Sequence, residues 1–324
     1  MAALSLSCQD GVQPGGSDGS GSETSAGNSS RVQRRMRSGR KATAFEEMEK
    51  VMKTSPCSPM ETLCDTDTWL KSSVANIRAD NQKYKNFIDV WKTKVCMWSL
   101  KDFNEFYSSC TPLFNAGFQK VYEKYYSLDE SVDILSNLLL HQFNNDESEV
   151  YDFLVTLYRI IDRQIPKCNT LLVFSPPSSG KTYFFDCVLD YLWNKGQLGN
   201  PNKYNQFPFN AAEKKRILIW NEPFYEEAAI DDLKILTEGG SMSVRVKFKN
   251  DTAIYKTPLI ITTNRRISLM THPAFKDRMV QYTWRPAPFL KSYDKYPTPL
   301  AFYALLMKYN VIPTTVHIDM ELVE

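Results

Sequence analysis

"LLVFSPPSSGKTYFFDCVLDYLW", residues 171–193, joins an apolar run to a loop of small residues ending Gly-Lys-Thr and then to a stretch of helical apolar spacing. Strand, small-residue loop, helix is the setting in which the pattern Gly-x-x-x-x-Gly-Lys-Ser/Thr cradles phosphate. Ser175 stands where most such loops carry their first glycine, and it is small enough not to block the turn. On this reading the backbone of Ser175, Pro176, Pro177, Ser178, Ser179 and Gly180 faces the phosphates of ATP, Lys181 bridges the β- and γ-phosphates, and the Thr182 hydroxyl ligates Mg2+. The tripeptide alone decides little. The plain alternative is an ordinary strand-turn-helix that happens to hold a lysine, so the surrounding sequence must choose.

After Pro166, short apolar runs alternate with helical ones: "TLLVF" (170–174), "RILIW" (216–220) and "TPLIITT" (257–263). Continuous runs of this kind read as buried parallel strands, and strands alternating with helices predict an α/β sheet covered on both faces. The second strand ends in Asn221 and Glu222. A carboxylate there can polarise an attacking water or hold Mg2+ through water, whereas Asn221 can orient a water ligand but adds no charge, which predicts weaker magnesium binding. The third strand delivers Asn264, able to bond the γ-phosphate or the attacking water; its ordinary role is a turn or cap. In "AFKDRMVQYTW" Arg278 follows in a short helix-like segment. A guanidinium suits charge spread over a transferring phosphoryl group and is often supplied in trans, while the ordinary reading is a salt bridge to Asp277 or another acid. It is the order of the parts (phosphate loop, acidic tip, polar tip, arginine) that favours a phosphoryl-transfer site.

Between the second and third strands, "EGGSMSVRVKFKNDTAIYKTP" alternates Val244 and Val246 with Arg245 and Lys247, and Asn250-Asp251 supplies turn chemistry, so a β-hairpin is expected. Lys247, Phe248 and Lys249 near its tip suit single-stranded DNA, with cations for phosphates and a ring for a base. The alternative is a solvated hairpin with Phe248 folded inward.

The wider chain sets bounds. Its 324 residues have a formal charge of only +2, so attraction to nucleic acid must be local. Three well-separated histidines argue against a histidine-built metal centre, and seven cysteines without a Cys-x-x-Cys pair are expected as free thiols. No apolar run approaches the ~18 residues of a membrane span, so no membrane partner is expected and the chain is read as soluble and intracellular. Residues 1–30 hold 8 Ser and 6 Gly and read as a disordered tail. "RVQRRMRSGRK" (31–41) follows, with six basic residues and no acid: a nuclear-import or nucleic-acid tract, or a solvated linker. From Asp67 to Gln164 the pattern is helical. "SEVYDFLVTLYRIIDRQ" aligns Val150, Phe153, Leu154, Leu157, Ile160 and Ile161 on one stripe, with Ser148 as the expected cap and Pro166 as the stop. Residues 286–324 resume a helical pattern in "PLAFYALLMKYN", read as a closing helix without assigned function.

Taken together, "SPPSSGKTYFFD", "NPNKYNQFPFN", "RILIWNEP", "EGGSMSVRVKFK", "TPLIITTN" and "FKDRMVQYTW" make the segment from about 150 to 285 resemble the superfamily 3 helicase domain of parvovirus non-structural replication proteins, most closely those of densoviruses. The resemblance implies an AAA+-like P-loop ATPase with a central parallel sheet, using ATP and Mg2+, assembling as a homo-oligomeric ring, commonly hexameric. It implies movement 3′ to 5′ along single-stranded DNA during replication of a single-stranded DNA genome in the host nucleus. Carried onto this chain, it gives Lys181 and Thr182 to the phosphate loop, Glu222 to the acidic motif, Asn264 to the sensor and Arg278 to the arginine finger, with Lys247 and Lys249 on the DNA-facing hairpin. The expected organisation is a Gly/Ser-rich and basic tail over 1–60, a helical oligomerisation subdomain over 61–165, the ATPase over 166–290 and a closing helix and tail over 291–324. Relatives carry an N-terminal nickase built on paired histidines and a tyrosine; with no histidine before His141, strand nicking is not expected here. A non-catalytic nucleotide- or DNA-binding remnant is the alternative, in which Ser175 and Asn221 mark lost hydrolysis. A small-molecule kinase is disfavoured, because nothing after Lys181 resembles an arginine-rich lid and the hairpin would have no purpose.

Overall fold

The computed structural model describes residues 42–114, 120–205, 207–245, 251–254 and 256–312, and helix starts almost at once. α1 (Ala44–Thr54) opens on a capping box in which Thr43 and Glu46 bond each other's backbone N–H, and it buries Met48, Val51 and Met52. This part of the 1–60 stretch is therefore helix rather than tail. Its apolar spacing is real but short, and a composition window dominated by Ser and Gly hides it. Residues 1–41, with the basic tract, lie outside the described residues.

A two-residue strand β1 (Cys57–Ser58) pairs in parallel with β2 (Leu113–Phe114). Around them lie α2 (Asp67–Leu70), α3 (Gln82–Met97), α4 (Leu100–Ser108), α5 (Val121–Lys124), α6 (Leu128–Gln142) and α7 (Glu147–Ile161). The α7 stripe is buried as its spacing predicts. The cap is Asp146, not Ser148: the Asp146 carboxylate accepts the N–H groups of Ser148 and Glu149 at 2.9 and 3.3 Å, which places Ser148 inside the first turn. The helix also stops before Pro166, at Ile161, because Asp162 turns inward to accept the Leu100 N–H at 2.9 Å and meet Arg216 at 3.2 Å.

The central sheet follows. β3 (Thr170–Phe174), β4 (Lys195–Gln197), β5 (Ile217–Asn221), the small antiparallel pair β6 (Met242–Val244) and β7 (Thr252–Ile254), then β8 (Leu259–Thr263) and β9 (Met279–Thr283) are joined by α8 (Lys181–Tyr191) and α9 (Ile230–Glu238); α10 (Ala301–Lys308) closes the described chain. Five strands form one parallel sheet in the order β4-β5-β8-β3-β9. This is the expected α/β architecture, with the phosphate loop between a central strand and a helix. The hairpin is present as β6 and β7, paired Ser243 to Ala253, but Lys247, Phe248 and Lys249 at its tip lie outside the described residues.

Successive side chains of a strand point to opposite faces, and here both faces are buried. Leu171, Val173, Ile217 and Ile260 join the helices of the first half, α8 and α10 in one apolar cluster. Leu172, Leu218, Trp220, Leu259 and Ile261 pack on the other side with Leu233 and Leu236 of α9 and with the β6–β7 pair. An aromatic seam ties α3 and α4 to the connection between α8 and β4: Trp91 lies 6.2 Å from Trp98 and 6.0 Å from Trp193, and Phe106 stacks on Trp193 at 5.5 Å. Arg216, at the entry to β5, is 1% exposed and donates to Trp98 O and Ile161 O at 2.8 Å each as well as to Asp162, joining three elements at one point. Burial pulls its pKa down to about 9. Among the described residues the six cysteines are free, and no helix is long and apolar enough to cross a membrane.

Candidate nucleotide site

β8 lies between β5 and β3, so the three strands end side by side: β3 runs into Ser175, β5 into Glu222, β8 into Asn264. The ladder extends one residue past each neighbour, with Ser175 N–H donating to Thr263 O at 3.0 Å and Glu222 N–H to Thr262 O at 2.8 Å. Their polar tips thereby converge on one cavity of about 490 Å³, lined on this side by residues 177–182, Asn221, Glu222 and Asn264.

The loop turns through two left-handed positions, Ser178 at φ 61° and Gly180 at φ 84°. Gly180 is required by its backbone, and its missing side chain leaves room for neighbouring leucine methyls. A Cβ there would lie 2.6 Å from a Leu290 methyl and 3.0 Å from both Leu138 methyls. α8 begins at Lys181, so its unsatisfied N–H groups and the positive end of its dipole face the cavity.

Lys181 is buried, and its Nζ donates to Asn264 Oδ1 at 2.7 Å, to Ser175 O at 3.4 Å and to Ser175 Oγ. Ser175, the departure from the usual glycine, is fully buried; its hydroxyl also sits 2.6 Å from Ser179 Oγ. Its side chain thus helps to orient the lysine within the loop. Burial holds the Lys181 ammonium below the ordinary lysine range, while Glu222 acts in the opposite direction. Glu222 adopts φ 48°, a conformation costly for a residue with a Cβ, and both its carboxylate oxygens accept the Asn264 N–H, at 2.9 and 3.1 Å. Asn221 Oδ1 accepts from Thr262 Oγ1 at 2.8 Å, which engages its carbonyl.

Mg2+ takes hard oxygen ligands and keeps several waters, using one or two carboxylates plus substrate phosphates. The Thr182 hydroxyl and the Glu222 carboxylate, both lining the cavity, fit that demand. Among the described residues no cluster of His, Cys, Asp and Glu forms an all-protein metal cage.

Arg278 lies elsewhere. β9 pairs Met279 with Thr170, the first residue of β3, so Arg278 is at the end of the sheet opposite the phosphate loop. Its guanidinium bonds Glu238 Oε2 at 2.9 Å and Ala274 O.

Two parts of the site, a brace on the loop and a wall of the cavity, are not foreseen from the sequence. The first is Gln142, the buried last residue of α6. Its Nε2 donates to Ser179 O in the loop and to Arg285 O, both at 2.9 Å, and its Oε1 accepts the Arg285 N–H at 2.7 Å. The only signal is a polar residue at the end of the apolar run "LLLHQF". The second comes from the segment given no function: Ala287, Leu290, Lys291 and Tyr296 form the remaining wall, with Tyr183 of α8.

Residues 117–283, just over half of the chain, match the family described as Parvovirus non-structural protein NS1. The "Initiator protein NS1" of Diatraea saccharalis densovirus is 45% identical over 188 residues, covering 58% of this chain and 34% of that protein. The protein of the same name from Bombyx mori densovirus is 39% identical over 193 residues, covering 57% and 22%. The chain therefore spans about a third or less of the length of these curated relatives. Among solved structures, JCV helicase aligns over 72% of this chain and 71% of its own at 16% identity and a TM-score of 0.47, a likeness too faint to bear on function.

Proposed function

The chain belongs to the parvovirus non-structural protein NS1 family, and from that premise we propose that it is an ATP-hydrolysing DNA helicase of the superfamily 3 type, acting in replication of a single-stranded DNA genome. The observation that carries this reading is the convergence of Lys181, Thr182, Glu222 and Asn264 on one cavity at the N-terminus of α8. Backbone N–H groups of the loop bind the phosphates, and Lys181, held between Ser175 and Asn264, meets the γ-phosphate. Glu222 takes the proton of the attacking water; its fixed grip on the Asn264 N–H keeps that carboxylate beside the sensor amide. Thr182 and Glu222 would hold Mg2+, which would supply neutralisation of the phosphate charge. Arg278, facing away from its own cavity, completes the site of the adjoining copy in a homo-oligomeric, hexameric ring. Lys247, Phe248 and Lys249 carry the single-stranded DNA, and the basic tract at 31–41 directs entry to the nucleus. In this assignment residues 61–165 assemble the ring and 166–290 hold the motor, although the cavity takes Lys291 and Tyr296 from beyond that boundary.

A DNA-stimulated ATPase assay on the full chain tests the reading. Lys181→Ala is expected to abolish turnover, and Glu222→Gln to lower kcat by about 100-fold or more while leaving nucleotide binding in place. Turnover unaffected by either change refutes it. Binding without any turnover in the unaltered chain would favour the non-catalytic alternative.

A further inference from the structure

The cavity has two chemically different halves. The loop, Asn221, Glu222 and Asn264 make a polar half suited to phosphates, whereas Ala287, Leu290 and Tyr296, with Tyr183 behind, make an apolar one. The apolar wall is built rather than incidental. Ala287 N–H donates to Ser178 O at 2.9 Å, and Leu290 packs where a Gly180 Cβ would have to go, so the segment is fastened to the loop itself. Its far end is fastened to α8 and to the segment around α5: Tyr183 OH donates to Lys295 O at 2.9 Å, Tyr296 N–H to Lys124 O at 2.9 Å, and Tyr126 N–H to Tyr296 O at 3.0 Å. Yet the Tyr296 ring remains 49% exposed, 5.8 Å from the Tyr183 ring. A nucleotide whose phosphates lie on the loop projects its sugar and base out of the polar half, and this strap is the other wall it meets.

We propose that residues 287–296 form the base subsite of the nucleotide cavity and grip the base by apolar and aromatic contact without reading its edge, so that purine and pyrimidine ribo- and deoxyribonucleoside triphosphates are all accepted. The inference rests on the reading of this cavity as the ATPase site. Lack of discrimination follows from the donors available. Outside the phosphate half, the hydrogen-bonding side chains among the described lining residues are Tyr183, Lys291 and Tyr296. The Tyr183 hydroxyl is engaged by Lys295 O, and a rotating phenol hydroxyl and an exposed lysine present no fixed donor–acceptor pattern to separate adenine from guanine.

The test is an equilibrium titration of the full chain with ATP, GTP, CTP, UTP, dATP and inorganic tripolyphosphate, repeated with Tyr296→Ala, Tyr296→Phe and Leu290→Ser. The five nucleotides should agree in Kd within about fivefold. Tyr296→Ala should weaken all of them by about tenfold, the scale of one lost aromatic–base contact, with tripolyphosphate unchanged and Tyr296→Phe close to the unaltered protein. Leu290→Ser should act in the same direction. A strong preference for one base, nucleotides indifferent to Tyr296→Ala, or an equal loss for tripolyphosphate overturns the proposal. If tripolyphosphate binds and nucleotides bind no tighter, the subsite alone fails; if neither binds the unaltered chain, the ATPase reading fails with it.

Discussion

Gln142 is where a single amide has most to hold. It is 6% exposed, and it satisfies Ser179 O, Arg285 O and the Arg285 N–H from one side chain. Gln142→Ala removes three hydrogen bonds of about 1 kcal/mol each and strands their backbone partners, so destabilisation of about 3 kcal/mol is expected. Gln142→Glu is nearly isosteric and keeps an acceptor for Arg285 N–H, but it sets a carboxylate against two carbonyl oxygens. It should therefore be at least as damaging, about 3 kcal/mol or more. Its buried carboxyl would titrate above the ordinary value of about 4.3, so stability lost at neutral pH is partly regained as pH falls and the protonated acid donates one bond. Urea denaturation followed by tryptophan fluorescence reads these values, and nucleotide titration in parallel reads the loop: Kd should rise in both variants before the fold is lost. If Gln142→Glu unfolds within about 0.5 kcal/mol of the unaltered protein, the brace does not hold the loop and the reasoning is wrong.

Three further outcomes are expected. Asp162→Ala leaves the guanidinium of Arg216 buried without its counter-ion and should cost about 3 kcal/mol or more, whereas Asp162→Ala combined with Arg216→Met should recover much of that loss in the same denaturation assay. Arg278→Ala should abolish ATPase turnover with little change in melting temperature, since the partly exposed pair with Glu238 is worth about 1 kcal/mol at most; mixing it with Lys181→Ala chains should restore part of the activity if arginine and lysine serve from different subunits. Phosphate binding raises the Lys181 pKa from its depressed starting point, so nucleotide affinity is full at lower pH and falls as pH rises through the depressed value, below the ordinary lysine figure of about 10.4. Lys181→Arg should flatten that fall in Kd measured against pH, because guanidinium stays charged; an equal slope in both proteins would refute the role of this proton.

The buried strands were legible because a parallel sheet covered on both faces leaves uninterrupted apolar runs, and Leu171, Leu172 and Val173 show why: none has a face to water. The meeting of Lys181, Glu222 and Asn264 was legible from strand-end position alone. Gln142 was not, because its partners Ser179 and Arg285 lie far along the chain and no periodicity records such a pairing. The strap was missed for the same reason, with Leu290 and Tyr296 reading as ordinary apolar residues in a proline-rich connection. α1 was lost to averaging, since its capping box sits beside a long Ser/Gly-rich stretch. Arg278 was not placed by its sequence neighbours, because its partner Glu238 lies forty residues earlier, at the end of the sheet away from the loop.

The aromatic seam formed by Trp91, Trp98, Phe106 and Trp193 has a practical bearing on how the protein can be dissected. A cut between α7 and β3 would open a broad oily face on both fragments, so a truncation starting near Pro166 should precipitate rather than behave as a miniature motor. The smallest piece worth expressing begins near Ala42. The helices and the sheet share one buried core, so neither half is expected to stand without the other.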